Sequence, residues 1–116
     1  MRHINMKRNR VFAIEKNDIV QLVESMGYCM ASDDITVKHK PIGYMYRETP
    51  DDADDSGWRF FSGEETQEYV DDPQNFGIFD VNTIANYDSA IIPYLKSPAG
   101  SELVRVNDAE DFQMIE

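Results

Sequence analysis

The sequence predicts an α+β domain, a small and mainly antiparallel sheet with two or three short flanking helices. Short strand-like segments alternate with short helix-like ones, separated by polar turns rich in Asp, Asn, Gly and Pro. The helical stretches are too short to act as the crossovers that a parallel, doubly wound sheet requires. At 116 residues the chain is the size of one domain. Roughly 65% of the unfolded surface can be buried at that size, enough for a core without staples.

Taken in order, Val11, Phe12, Ala13 and Ile14 form a short apolar run that predicts a strand. From Asn17 the pattern turns helical, with Ile19, Val20, Leu22, Val23 and Met26 on one face. Asn17 or Asp18 supplies the N-cap and Gly27 the stop. Residues 28–31, led by Tyr28 and Cys29, read as a short buried strand, and Asp33 and Asp34 as the turn after it. Beyond Pro41, Ile42, Tyr44 and Tyr46 share one face of a strand. A proline, four aspartates and a serine make residues 49–56 a loop. Residues 57–61 are the next strand, so the two should pair antiparallel across a connection longer than a tight hairpin. On it Trp58 and Phe60 face one way, Arg59 and Phe61 the other, and most of these aromatic rings are expected in the core.

Ser62 is the expected cap of a short helix over residues 63–70, with its acids near the positive end. Residues 76–81 read as a strand, 82–86 as a turn, and a helix from Asp88 carries Ile91, Ile92 and Leu95. Pro98 and Gly100 break the chain, and residues 103–106 and 112–115 form a final strand pair around Asn107 and Asp108.

The net charge of −11 is unevenly placed. Residues 48–72 hold ten acids against Arg59 alone, whereas residues 1–16 hold five bases, including Arg2, Lys7, Arg8 and Arg10, against Glu15. The acidic field repels phosphates, so no nucleic-acid partner is expected, and it favours fast capture of a basic protein. Cys29 is the only cysteine, which excludes an internal disulfide, and its apolar neighbours suit a buried structural thiol. No apolar run approaches the length of a membrane span, and no hydrophobic segment follows the N-terminal bases as a secretory signal would require. A cytoplasmic location with no membrane partner is the expectation.

Catalytic and metal chemistry find little support. His3 and His39 are the only histidines and neither lies in a motif, which leaves zinc without a ligand set. Asp52, Asp54, Ser56 and Gly57 fit the opening of a calcium-binding EF-hand loop. The closing bidentate acid then falls on Gly63, with Glu64 one residue too far, and an aromatic strand follows where a helix is needed. No catalytic residue, metal ligand or cofactor is assigned.

Six strings occur in a fixed order: GYMYRE at residues 43–48, DSGWRFFSGE at 55–64, EYVDDPQNFGIFD at 68–80, VNTIAN at 81–86, IIPYL at 91–95 and PAGS at 98–101. Together they resemble the immunity protein 33-like domain family, a bacterial domain of unknown function, over roughly residues 27–106. The expected organisation is an N-terminal extension at 1–26, with a basic segment and a short helix, ahead of a single α+β domain at 27–116. The resemblance implies a non-enzymatic protein that binds and neutralises a cognate toxin, and it supplies no catalytic residues. Combined with the charge, it nominates Asp51, Asp52, Asp54, Asp55, Glu64, Glu65, Glu68, Asp71 and Asp72 as the surface for a basic toxin domain. A small-molecule or regulatory module without a toxin partner is the alternative, with a pocket lined by Tyr44, Tyr46, Trp58 and Phe60. An enzyme ranks third, because no pair among the many carboxylates stands out.

Overall fold

In the computed structural model, which describes residues 10–107 and 109–115, six strands make one sheet. They are β1 (Tyr28–Ser32), β2 (Tyr44–Arg47), β3 (Asp55–Phe61), β4 (Phe76–Asp80), β5 (Glu102–Arg105) and β6 (Phe112–Met114). Their order across the sheet is β4-β1-β3-β2-β5-β6, with β1 and β3 parallel and every other pair antiparallel. Helices α1 (Asp33–Thr36), α2 (Gln67–Val70) and α3 (Val81–Tyr87), and a 3-10 turn at Ser89–Tyr94, complete the frame. The mainly antiparallel α+β class is as expected, and the last two strands pair as expected.

The core forms on one side of β3. Trp58 and Phe60 are fully buried there, and the register sets Ala31, Met45 and Leu103 beside them. Over these lie Ile35 of α1, Val81, Ile84 and Ala85 of α3, and Ile91 and Leu95 of the 3-10 turn. Each fully buried aromatic ring contributes on the order of 2–3 kcal/mol of transfer free energy. The Trp58 indole N–H donates to the Leu95 carbonyl at 3.0 Å, so the ring brings no unpaired donor inside. Gly57 is required next to it: with φ of +87°, an added Cβ would lie 2.3 Å from the Glu48 carbonyl oxygen.

The amino-terminal expectations fail. Residues 11–14 are not a strand and 17–26 are not a helix; apart from a 3-10 turn at Lys16–Asp18, the segment is extended and lies along α3. Side chains on α3 replace the helical hydrogen bonds. Asn82 Oδ1 accepts from the N–H groups of Leu22 (2.7 Å) and Val23 (3.1 Å), and Asn86 Oδ1 from that of Val20 (3.1 Å). Both amide groups also donate to the Val20 carbonyl. The apolar pattern fits either conformation over so short a stretch, and an isolated helix of about ten residues is marginal. Docking decides: Ile14, Val23 and Met26 pack on the core while Val20 and Leu22 stay exposed. Gly27 does not stop a helix; its φ of +104° admits the Asp54 carbonyl, 2.4 Å from where a Cβ would stand. Arg2, His3, Lys7, Arg8 and Asp108 lie outside the described residues.

Three smaller differences concern where the helices begin. Asp33 and Asp34 begin α1 rather than forming a turn, because Ser32 Oγ accepts from the Asp34 N–H at 3.0 Å. The helix expected over 63–70 is only α2, capped by Thr66 and not Ser62. The turn expected at 82–86 is the body of α3, capped by Asp80, and the segment after Asp88 is 3-10 and contains Pro93. Burial of Val81, Ile84 and Ala85, at helical spacing, outweighs the poor helix propensity of Asn and Thr.

If the two asparagines hold the amino-terminal strap, replacing both by alanine removes hydrogen bonds worth about 1 kcal/mol each. Amide exchange of Val20, Leu22 and Val23 should then quicken by about tenfold or more, with β3 still protected. Equal exchange in the variant and the parent would show that the strap is held by packing alone.

Candidate functional site

The acids nominated by the sequence do not form one patch. They are divided by β3, which advances about 3.3 Å per residue, so its two ends lie about 20 Å apart. Asp51, Asp52 and Asp54 sit in the β2–β3 connection at one end. Glu64, Glu65, Glu68, Asp71 and Asp72 follow β3 at the other.

At the first end, Asp51 is largely exposed and Asp54 is exposed. Asp52 accepts the Tyr28 hydroxyl at 3.1 Å and the Asp54 N–H at 2.9 Å. At the second end, Glu64 pairs with Lys40 at 2.8 Å. Glu65 accepts the N–H groups of Ser62 and Gly63, an internal brace. Asp71 accepts from the Gln67 amide at 2.8 Å, Asp72 caps the 3-10 turn Pro73–Asn75, and Glu68 is exposed.

Asp55 differs from all of these. Its side chain is fully buried, and both oxygens meet the Arg59 guanidinium, at 2.8 and 3.0 Å. It also accepts the N–H groups of Asp51 and Gly57. Arg59 donates again to Glu48 at 2.7 Å, so the only base of the acidic stretch is spent inside it. The fork geometry of this pair is the strong kind of charged hydrogen bond. The hydrogen bonds from Arg59 hold the Asp55 carboxyl well below the usual carboxylate range, and those to Asp55 raise Arg59 in turn. Asp55 therefore braces the loop that presents Asp51, Asp52 and Asp54, and its own carboxylate is not on offer to a partner.

A second pair ties β5 to the helical layer. Arg105 meets Asp88 at 2.8 Å, and Asp88 also accepts the Ile42 and Ala90 N–H groups. Burial works against ionising Asp88, but these contacts outweigh it and lower its pKa.

The sheet face opposite the core carries Tyr44, Tyr46 and Phe61, each half-buried, on adjacent strands. Tyr46 and Phe61 are stacked, with centroids 5.8 Å apart and planes at 14°. Tyr44 tilts against both, at 5.9 and 5.6 Å. With Val70 and Val104 they floor an open groove of about 830 Å³. The expected pocket of Tyr44, Tyr46, Trp58 and Phe60 does not exist, because Trp58 and Phe60 project through the other side of the sheet. Phe61 takes their place. Alternation along β3 already separated Phe61 from Phe60; the pairing of β2 with β3 then set it against Tyr44.

The arrangement is suited to binding. Burial pushes the Cys29 thiol far up, away from the thiolate form a nucleophile needs. Among the described residues, no group of three or more His, Cys, Asp or Glu side chains is placed to hold a metal ion, and no helix is long and apolar enough to cross a membrane.

A family model described as the Immunity protein Imm33 domain matches residues 29–116. No curated protein and no solved structure matches the chain.

Asp55→Asn leaves the buried Arg59 guanidinium with only the half-exposed Glu48 as a close counter-charge, so it should cost stability at pH 7, by at most about 3–5 kcal/mol, read from urea unfolding. Because the folded-state pKa lies below the ordinary value of 3.8, this stabilisation is present above that value and is lost as pH falls further. The gap between the parent and the variant should therefore narrow on acidification below about pH 4. A gap that stays constant down to pH 2 would contradict the assignment.

Proposed function

Because the chain belongs to the Imm33 immunity protein domain family, we propose that it is a non-enzymatic binding protein that neutralises a cognate toxin by occluding a basic surface of it. The observation that carries this reading beyond the family is the exposed acidic loop between β2 and β3. Asp51, Asp52 and Asp54 stand there within four residues, held in place by the Asp55–Arg59 pair. Glu68 adds exposed charge at the far end of the same strand. A field of this sign draws in positively charged partners at rates that fall with salt. A nuclease toxin fits it, since a cleft made for phosphates carries the opposite charge. The cytoplasm, where such a toxin would meet its substrate, is the expected place of action.

The identity of the partner is tested by searching the neighbouring genes for a toxin-like reading frame and co-expressing its product with this protein. Complex formation with rescue of growth is expected, and an isolated gene with no co-purifying toxin would remove the basis for the reading. Steering is tested on the complex. Changing Asp51, Asp52 and Asp54 together to Asn should slow association by about tenfold at low salt and flatten its salt dependence, with little effect on dissociation. Asp55 is left intact because its loss would unfold the loop. Association of the variant as fast as that of the parent, at low and at high salt alike, would overturn the steering role.

A further inference from the structure

We propose that the groove on the open sheet face is the docking site for a partner segment that lays an arginine or lysine side chain along Tyr44, Tyr46 and Phe61. For the identity of the partner, the proposal rests on the toxin-neutralising reading; the chemistry of the groove stands by itself.

The described residues leave the aromatic surface of this face uncovered. On the core side of the sheet, rings of this size are covered by α1, α3 and the 3-10 turn. On the open side, α2 reaches only one end, where Tyr69 meets Phe76 and Phe76 meets Phe61. The stacked pair of Tyr46 and Phe61 lines the open groove, and Val70 and Val104 are 37% and 38% exposed. Exposed tyrosine and phenylalanine rings are among the side chains that interfaces favour.

Charge selects the occupant. Both bases that line the groove are already committed: Lys40 to Glu64 at 2.8 Å and to Asp34 at 3.7 Å, and Arg105 to Asp88 at 2.8 Å. Arg59, on the same face, is locked by Asp55 and Glu48. Glu102, directly across from Tyr46 and beside the groove, meets no such cation among the described residues; its carboxylate accepts the Tyr44 hydroxyl. With Glu65 on the lining and Glu102 beside it, neither paired with a cation among the described residues, the uncompensated charge at the groove is negative. A purely apolar segment would bury the Glu102 carboxylate without a counter-charge, and an acidic or phosphate-bearing ligand would be repelled. A long basic side chain satisfies both halves, with its stem and cationic head against the rings and its donors on the carboxylate. Arginine suits the planar stack best.

Length favours a protein segment over a free small cation. The groove runs from Tyr46 to Val70, and the acidic loop continues the same negative surface past Glu48. A small amine would fill one end, whereas an extended basic segment engages the rings and the loop together.

The test is a titration of the isotope-labelled protein, followed by amide NMR shifts, with the acetylated and amidated peptide Leu-Arg-Val-Arg-Leu. Its twin with citrulline in place of arginine, and free arginine, serve as comparisons. Shifts should concentrate at Tyr44, Tyr46, Phe61 and Val104, and the citrulline twin should bind at least about fivefold more weakly. Glu102→Gln and Tyr46→Ala should each weaken the arginine peptide by a similar factor, while Tyr46→Phe, which keeps the ring, should not. Thermal unfolding of each variant establishes that the fold is retained, and Glu102→Gln alone is decisive if Tyr46→Ala proves unstable. Shifts confined to residues 51–54, or equal binding of the citrulline twin, would overturn the proposal. Free arginine binding as tightly as the peptide would also overturn it, in favour of a small-molecule site. Growth rescue by the Glu102→Gln variant at parental strength, with no peptide binding to the parent, would leave toxin neutralisation standing and remove the groove from it. A missing toxin would do the reverse, since the titration needs none.

Discussion

The two-residue period of β3 assigns nearly every surface of this protein, because that strand lies inside the sheet with a partner on either side. Trp58 and Phe60 point to one side and nucleate the core; Arg59 and Phe61 point to the other and make the open face. A register slip of one residue would put a guanidinium among aliphatic side chains and two large rings into water, so the pairing is strongly specified. The neighbours follow. Met45 and Leu103 join the core layer, and Tyr46 and Glu102 join the open face, because their register with β3 leaves them no other place.

The protein is acidic, but its charge is not a uniform coat. Arg59, Arg105 and Lys40 are each consumed by carboxylates that serve the fold: Asp55 and Glu48, Asp88, and Asp34 with Glu64. The internal pairs use up the cations near the open face, and the acids that remain are concentrated at its ends. Burying such pairs adds little net stability, but breaking one leaves an uncompensated charge inside. The acidic stretch is thereby divided between acids that brace the fold and acids that stay exposed. Asp55 is the brace; Asp51, Asp52 and Asp54, four residues or fewer away, remain exposed.

Legibility varied with the range of the forces involved. The strands read at 28–31, 57–61 and 76–81 could be placed from short apolar runs between turn residues, because burial on at least one face demands that pattern, although Val81 proves to be the first residue of α3. The amino-terminal strap could not. Its apolar spacing suits a helix, and the groups that override it, the Asn82 and Asn86 amides, are some sixty residues away on a segment that itself reads as a turn. The candidate site was half legible. Exposed aspartates announce themselves by composition, but the burial of Asp55 depends on Arg59 reaching back four residues along the same strand to meet it. The groove was misassembled from the sequence because same-face residues of one strand, Trp58 and Phe60, were joined to residues of another whose facing side is set by pairing.

By itself, then, the sequence determined the α+β class, the central aromatic strand, the buried thiol of Cys29 and the sign of the surface charge, since each follows from local pattern or from counting. Only the tertiary structure decided which acids are buried braces and which stay exposed, and which aromatic rings lie on the open face. Those depend on strand register and on ion pairs between distant segments, and neither leaves a mark in local periodicity.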